Sequence, residues 1–199
     1  MQHIKEKKER ALGVKLFLKS DRCNSPKCVM VRRPARPGVH GAKRHTVTDF
    51  GKQLQEKQKI QIVYGLNNRQ MRNLFRDNSK EELVKILESR LDRVVFMAGL
   101  AKSPRIARQL VSHGHITVNA RKVTIPSYKV RVGDKVTIRP ESRASKIFEE
   151  MDVRLKNINP PEWLKLDKEK LSAECVARPE ADYHDFAFDV DLVGQFYSR

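Results

Sequence analysis

Cysteine is scarce: three residues in 199 do not make a disulfide framework, so a reducing, cytoplasmic setting is expected. Long apolar runs are missing as well. With no stretch of about 18 or more apolar residues, the chain has no candidate for a membrane-crossing helix. Met1 to Arg10 carries Glu6 and Glu9 among its lysines, a pattern that suits neither a secretory signal nor an acid-poor transit peptide. The chain shows no glycine-rich phosphate loop, metalloprotease His pair or methyltransferase glycine pattern. No catalytic residue and no cofactor is therefore expected. Acids are few relative to bases, 24 against 41, leaving a formal charge of +17. An excess of that size goes beyond what solubility needs and points to a polyanionic partner.

The charge is unevenly placed. Residues 1 to 45 hold thirteen Lys and Arg against three acids, whereas residues 141 to 199 hold nine against thirteen. The polyanion-facing surface is thus expected within the first 140 residues. Residues 1 to 45 have few periodic apolar positions beyond Val14 to Leu18, and they close on the Pro/Gly/Arg run Arg32 to Gly38. That composition predicts an extended basic arm, ordered by what it binds.

From Asp49 to Tyr64 the apolar spacing turns helical, and Gly65 ends it. A second helix is predicted from about Asn67 to Asp77, setting Met71, Leu74 and Phe75 against Arg69, Arg72 and Arg76. Ser79 to Glu82 has the form of a capping box opening a third helix, and Arg90 to Gly99 reads as a fourth. Ser103 to Asn119 then contains a complete helix start, body and stop running into a strand. Ser103 suits the N-cap, Pro104 the first turn and Gly114 the end. Ile106, Ala107, Leu110 and Val111 share one face; Arg105, Arg108, Gln109 and Ser112 share the other. Arginine forks and short polar groups on one face, followed by His113 and His115, suit phosphate and ribose contacts.

Beyond Gly114 the period becomes two. Ile116/Val118, Val123/Ile125, Val130/Val132 and Val136/Ile138 alternate with polar residues, with turns expected at Asn119-Ala120 and Gly133-Asp134. Residues 142 to 157 are helical by pattern, Trp163 to Leu166 and Cys175 to Ala177 are candidate strands, and Leu192 to Tyr197 is a short closing helix.

These residues resemble a known family. Arg90-Leu91-Asp92, Gly99, the run Ala107 to Asn119, Ile125 to Tyr128 and Gly133-Asp134 are similar to the RNA-binding module named after small-subunit ribosomal protein four. Outside the module, Pro37 to Gly41, Asp49 to Gly51, Glu56 to Lys59, Tyr64-Gly65, Arg69 to Asn73 and the ending Leu192 to Arg199 resemble that family's own signature, in the same order over roughly the full length. The chain is identified as a member of this bacterial-type family.

The resemblance implies an α+β protein in three parts: a basic arm over residues 1–45, a small all-helical rRNA-binding domain over 46–90 completed by 178–199, and an inserted module over 91–177. In that module helices would pack on a small, mainly antiparallel sheet. It implies direct and early binding to small-subunit rRNA, ribosomal proteins three and five as neighbours, a place along the mRNA entry path, and a role in translational accuracy. Some family members also repress their own message. The residues expected to contact RNA are Ser103, Arg105, Arg108, Gln109, Ser112, His113, His115, Lys122 and Tyr128 in the module. Outside it they are Arg36, His40, Arg44, Lys57, Lys59, Arg69 and Arg72.

The sequence departs from the family pattern at Ala120, where glycine is usual, and at Pro104, where arginine is common. Many members carry a four-cysteine zinc site near the N-terminus. Cys23 and Cys28 match its second pair, but Glu6 and Glu9 stand where the first pair would fall. Loss of two thiolates predicts loss of the metal. A finger built from Cys23, Cys28, His40 and His45 is the alternative by spacing, against which Gly38 and Gly41 discourage the required helix. Arg90-Leu91-Asp92 also resembles the catalytic tripeptide of some pseudouridine synthases. Yet no second acid, nucleophile or catalytic domain accompanies it, and Asp92 reads more simply as a helix-start carboxylate.

Overall fold

The computed structural model describes residues 6–18, 20–43, 46–148, 151, 155, 158–168, 170–179 and 188–198. The chain divides into two compact units. One comprises Met1–Leu83 with Asp182–Arg199, the other Val84–Ala181.

In the first unit, α1 (Lys7–Leu12), α2 (Ser20–Cys23) and α3 (Val29–Arg32) precede α4 (Asp49–Tyr64), α5 (Asn68–Asp77) and the start of α6 (Lys80–Glu88); α9 (Val190–Tyr197) closes it. Each long helix has a local reason for its ends. The Thr48 hydroxyl accepts from Gly51 N at 3.2 Å to open α4, and Gly65 closes it at φ 60. Asn67 and Gln70 form a reciprocal capping box on α5. The Asp189 carboxylate accepts from Asp191 N at 2.8 Å and Leu192 N at 3.1 Å to start α9. α9 packs on α4 and α5, where Ile60, Tyr64, Met71, Val190 and Val193 are buried.

The expectation of an extended arm needs correction. The described part of residues 1–45 holds three short helices and a small apolar cluster in which Leu12, Leu16 and Leu18 pack on Ile62 and Val63 of α4. Its organising group is polar. Glu9 is buried, and its Oε1 accepts from Leu16 N at 3.0 Å and Leu18 N at 3.2 Å, fixing the chain where it leaves α1. A carboxylate taking two backbone donors satisfies groups that burial would otherwise leave costly.

The second unit contains the rest of α6, α7 (Leu91–Met97), α8 (Pro104–Ser112) and an antiparallel sheet ordered β2-β1-β3-β5-β4. Its strands are β1 (Ile116–Val118), β2 (Arg121–Lys122), β3 (Lys135–Ile138), β4 (Leu164–Asp167) and β5 (Ser172–Cys175). Register pairs Val118 with Arg121 and Val136, and Ala173 with Val136 and Leu166. α7 packs against α8, and Leu91, Val94, Val95, Ala107, Leu110, Val111, Ile116, Val136 and Ile138 form one core with the sheet. This arrangement of helices on an antiparallel sheet is α+β, as expected.

Two expected strands are not formed. Val123 and Ile125 run into Pro126, which has no N–H for a ladder. Around Val130, backbone pairing is taken up elsewhere: Val130 N donates to Ser89 O, and Leu91 N donates to Tyr128 O. The helix expected over 142–157 begins as 3₁₀ turns at Pro140–Ser142 and Lys146–Phe148; Met151 and Leu155 are helical and buried, and the remaining positions from 149 on lie outside the described residues.

Candidate nucleic-acid interface

α8 is built to hold one face still. Ser103 Oγ accepts from Ile106 N at 3.3 Å, Pro104 fills the first turn, and Ala107, Leu110 and Val111 anchor the inner face in the core. Ser103 is itself buried, so its hydroxyl serves as the helix cap rather than as an outward-facing group. Outward, Gln109, Ser112 and His113 are exposed and Arg105 and Arg108 half-exposed. Arg108 Nη1 also reaches Asp92 Oδ2 at 3.5 Å, which limits its side-chain freedom.

Gly114 then makes the turn that gathers the cations. Its φ of 76 favours glycine, and a Cβ there would lie 2.3 Å from Lys122 Cε. The Lys122 stem crosses this glycine, bringing its ammonium beside the histidine pair. His113 and His115 rings are 6.1 Å apart; His115 Nδ1 lies 3.0 Å from Ser142 Oγ, and its ring meets Phe148 edge-on. Burial, then the charges of His113, Arg139 and Lys122, push the His115 pKa below its ordinary value. A histidine surrounded by cations marks a locally positive surface, and such a surface stabilises an anion brought to it.

Arg139 carries no local sequence signal of this role. Its N–H donates to His115 O at 2.9 Å beside the β1–β3 pairing, and its guanidinium pairs with Glu141. Only strand pairing places it here. Tyr128 lies on the loop whose Tyr128 and Pro126 carbonyls accept from Leu91 and Asp92 N–H, with its ring partly exposed.

The first unit carries a second basic surface. Arg69 and Arg72 are exposed on α5, and Lys57 of α4 places Nζ 4.4 Å from the Phe196 ring centre. Burial and the neighbouring Arg72 charge lower the Lys57 pKa. Lys59 is turned inward instead: it is buried, with Nζ 2.6 Å from Glu56 Oε1. Its charge is spent within the protein. Half-buried Arg36 and exposed His40 belong to a tight loop in which Gly41 N donates to Gly38 O; any Cβ on Gly41 would fall 1.8 Å from Arg36 O. Arg44 lies outside the described residues, as does His45.

Cys23 and Cys28 are buried, and Cys23 Sγ is 4.0 Å from both Glu9 carboxylate oxygens. Among the described residues no group of three or more His, Cys, Asp or Glu is placed to hold a metal ion. Asp92, the acid of the synthase-like tripeptide, is closed in a two-pronged ion pair with Arg90.

Comparison with known proteins agrees with this architecture. Residues 1–102 match the family model described as ribosomal protein S4/S9 N-terminal domain, and residues 89–136 match the S4 domain. The curated small ribosomal subunit protein uS4 of Thermus thermophilus is 46% identical over 199 residues, covering 96% of this chain and 94% of the relative. The proteins of the same name from Syntrophomonas wolfei and Gloeobacter violaceus are 43% and 42% identical, each with 96% of this chain and 94% of the relative covered. With one family model spanning half the chain and relatives aligned along nearly all of it, the chain belongs to the ribosomal protein S4 family.

Proposed function

We propose that the chain is a structural constituent of the small ribosomal subunit that binds small-subunit rRNA directly, as a primary assembly protein. The single observation that carries this reading is the placement of Lys122 and Arg139 beside the His113–His115 pair at the end of α8, with Arg105 and Arg108 on the same helix. Rigid secondary structure holds these groups in a patch. Phosphate oxygens complement its excess positive charge, and bidentate arginine contacts fix register along the RNA backbone. Lys57, Arg69 and Arg72 form a separate basic surface on the first unit, reaching another part of the same folded rRNA.

The family is one of structural, non-enzymatic proteins. In keeping with it, this chain would work in the cytoplasm, have ribosomal proteins three and five as neighbours, line the mRNA entry path and contribute to translational accuracy. The test is sedimentation with intact small subunits. Stoichiometric association is expected. A substoichiometric, readily dissociated association would favour an RNA-modifying or stress-related protein that carries the same module.

A further inference from the structure

A cavity of about 970 Å³ opens between α4, α5 and α9, lined by Lys57, Arg72, Phe75, Arg76, Phe196 and Tyr197 among others. Its size falls in the range of small-ligand sites. The walls combine two chemistries. Phe75 and Tyr197 stack with ring centres 5.2 Å apart and planes at 29°, while Phe196 meets Tyr197 edge-on at 5.2 Å. Lys57 Nζ stands over Phe196 and 5.5 Å from the Tyr197 ring centre.

The local carboxylates are already committed. Glu56 Oε1 takes Lys59 and Oε2 takes the Asp189 N–H; Asp77 takes Arg76, and Asp191 takes Lys80. Arg72 has no hydrogen bond or ion pair among the described residues, although its charge is close enough to depress Lys57. Two neighbouring cations with no shared counter-ion repel one another. An anion with an attached flat ring answers both the cations and the aromatic wall.

We propose that this cavity receives one unpaired nucleotide of RNA, its phosphate held by Lys57 and Arg72 and its base laid on the aromatic wall that Phe75 forms with Tyr197. The inference rests on the RNA-binding reading above and deepens it, since it assigns base stacking as well as phosphate contact to the first unit. Stacking of a base on an aromatic side chain tolerates sequence, so the pocket selects an unstacked nucleotide rather than a particular base.

The test uses the full chain bound to a full-length small-subunit rRNA transcript. Ultraviolet crosslinking with mass spectrometry is expected to give nucleotide adducts on Phe75, Phe196 or Tyr197. Phe75→Leu is expected to weaken binding roughly five- to a hundredfold with the salt slope unchanged. Arg72→Gln is expected to weaken binding while lowering that slope by about one. Arg72 is a surface side chain, so this variant and the crosslink carry the test if Phe75→Leu unfolds. If the wild type binds the transcript steeply with salt, yet crosslinks only elsewhere and Arg72→Gln keeps wild-type affinity and slope, the pocket proposal falls and the RNA-binding reading stands. If the wild type fails to bind the transcript at all, both fall.

Discussion

Arg90 closes on Asp92 with both prongs of its guanidinium, Nε 3.0 Å from Oδ1 and Nη2 2.7 Å from Oδ2, and less than a tenth of either side chain is exposed. The pair sits at the start of α7, where the carboxylate also favours the positive end of the helix. Removing one partner of such a pair leaves the other charge buried and unsatisfied. Asp92→Ala is expected to cost about 3–5 kcal/mol of stability, measured by denaturant unfolding. A loss within about 0.5 kcal/mol, the size usual for a surface substitution, would show that solvent reaches Arg90 in the variant.

Arg105 and Arg108 lie on the outward face of a helix whose inner face is held by Ala107, Leu110 and Val111. Replacing either arginine with Ala should weaken binding to a small-subunit rRNA fragment and lower the salt slope by about one for each phosphate no longer neutralised. Leu110→Ala should instead cost about 2–5 kcal/mol of stability. Circular dichroism melts beside filter binding separate the two effects. An Arg108→Ala protein that unfolds, yet binds normally when refolded, would assign Arg108 to packing through its pairing with Asp92.

Asn119 and Ala120 form the turn between β1 and β2 with φ of 49 and 64, both left-handed. Asparagine tolerates this, and Asn119 adds hydrogen bonds from its Nδ2 to Asp134 Oδ1 at 2.7 Å and from Lys135 N to its Oδ1 at 2.9 Å. Alanine gains nothing there and is strained by its Cβ. Ala120→Gly is expected to stabilise the protein by about 1 kcal/mol, read as a rise in unfolding midpoint. A fall would mean that the glycine's greater freedom in the unfolded chain outweighs the relieved strain.

The His115 pKa is depressed, first by burial and then by His113, Arg139 and Lys122. The unfolded chain, with an ordinary histidine near 6.5, takes up the proton first as pH falls. Stability should therefore decline as pH drops from about 6.5 through the lower folded value. RNA phosphate acts in the opposite direction by favouring the imidazolium, so rRNA binding should take up protons and strengthen as pH falls toward the depressed His115 value. His115→Gln should flatten both dependences. Unchanged pH profiles in that variant would remove His115 from the linkage.

Where local chemistry suffices, the sequence is informative. The α4 limits at Asp49 and Tyr64 follow from spacing and Gly65, and the start of α8 from Ser103 and Pro104. The positions that mislead are governed by distant partners. Glu9 reads as one more charge in a basic tail, but its carboxylate captures Leu16 and Leu18 N–H and folds that segment. Val130 alternates like a strand residue, yet its N–H goes to Ser89. The same distinction runs through the site. The α8 arginines are legible because helix periodicity sets their face, whereas inward-turned Lys59 and strand-delivered Arg139 depend on packing and pairing that no local window contains.

If this chain holds RNA through a basic surface meeting phosphates, its affinity for a small-subunit rRNA transcript depends steeply on salt. A protein making several phosphate contacts loses roughly a thousandfold or more in affinity between about 50 and 200 mM salt, and that steep, linear fall in log affinity against log salt is the predicted result. An affinity that stays flat across the same range would show that phosphate contacts do not hold the RNA.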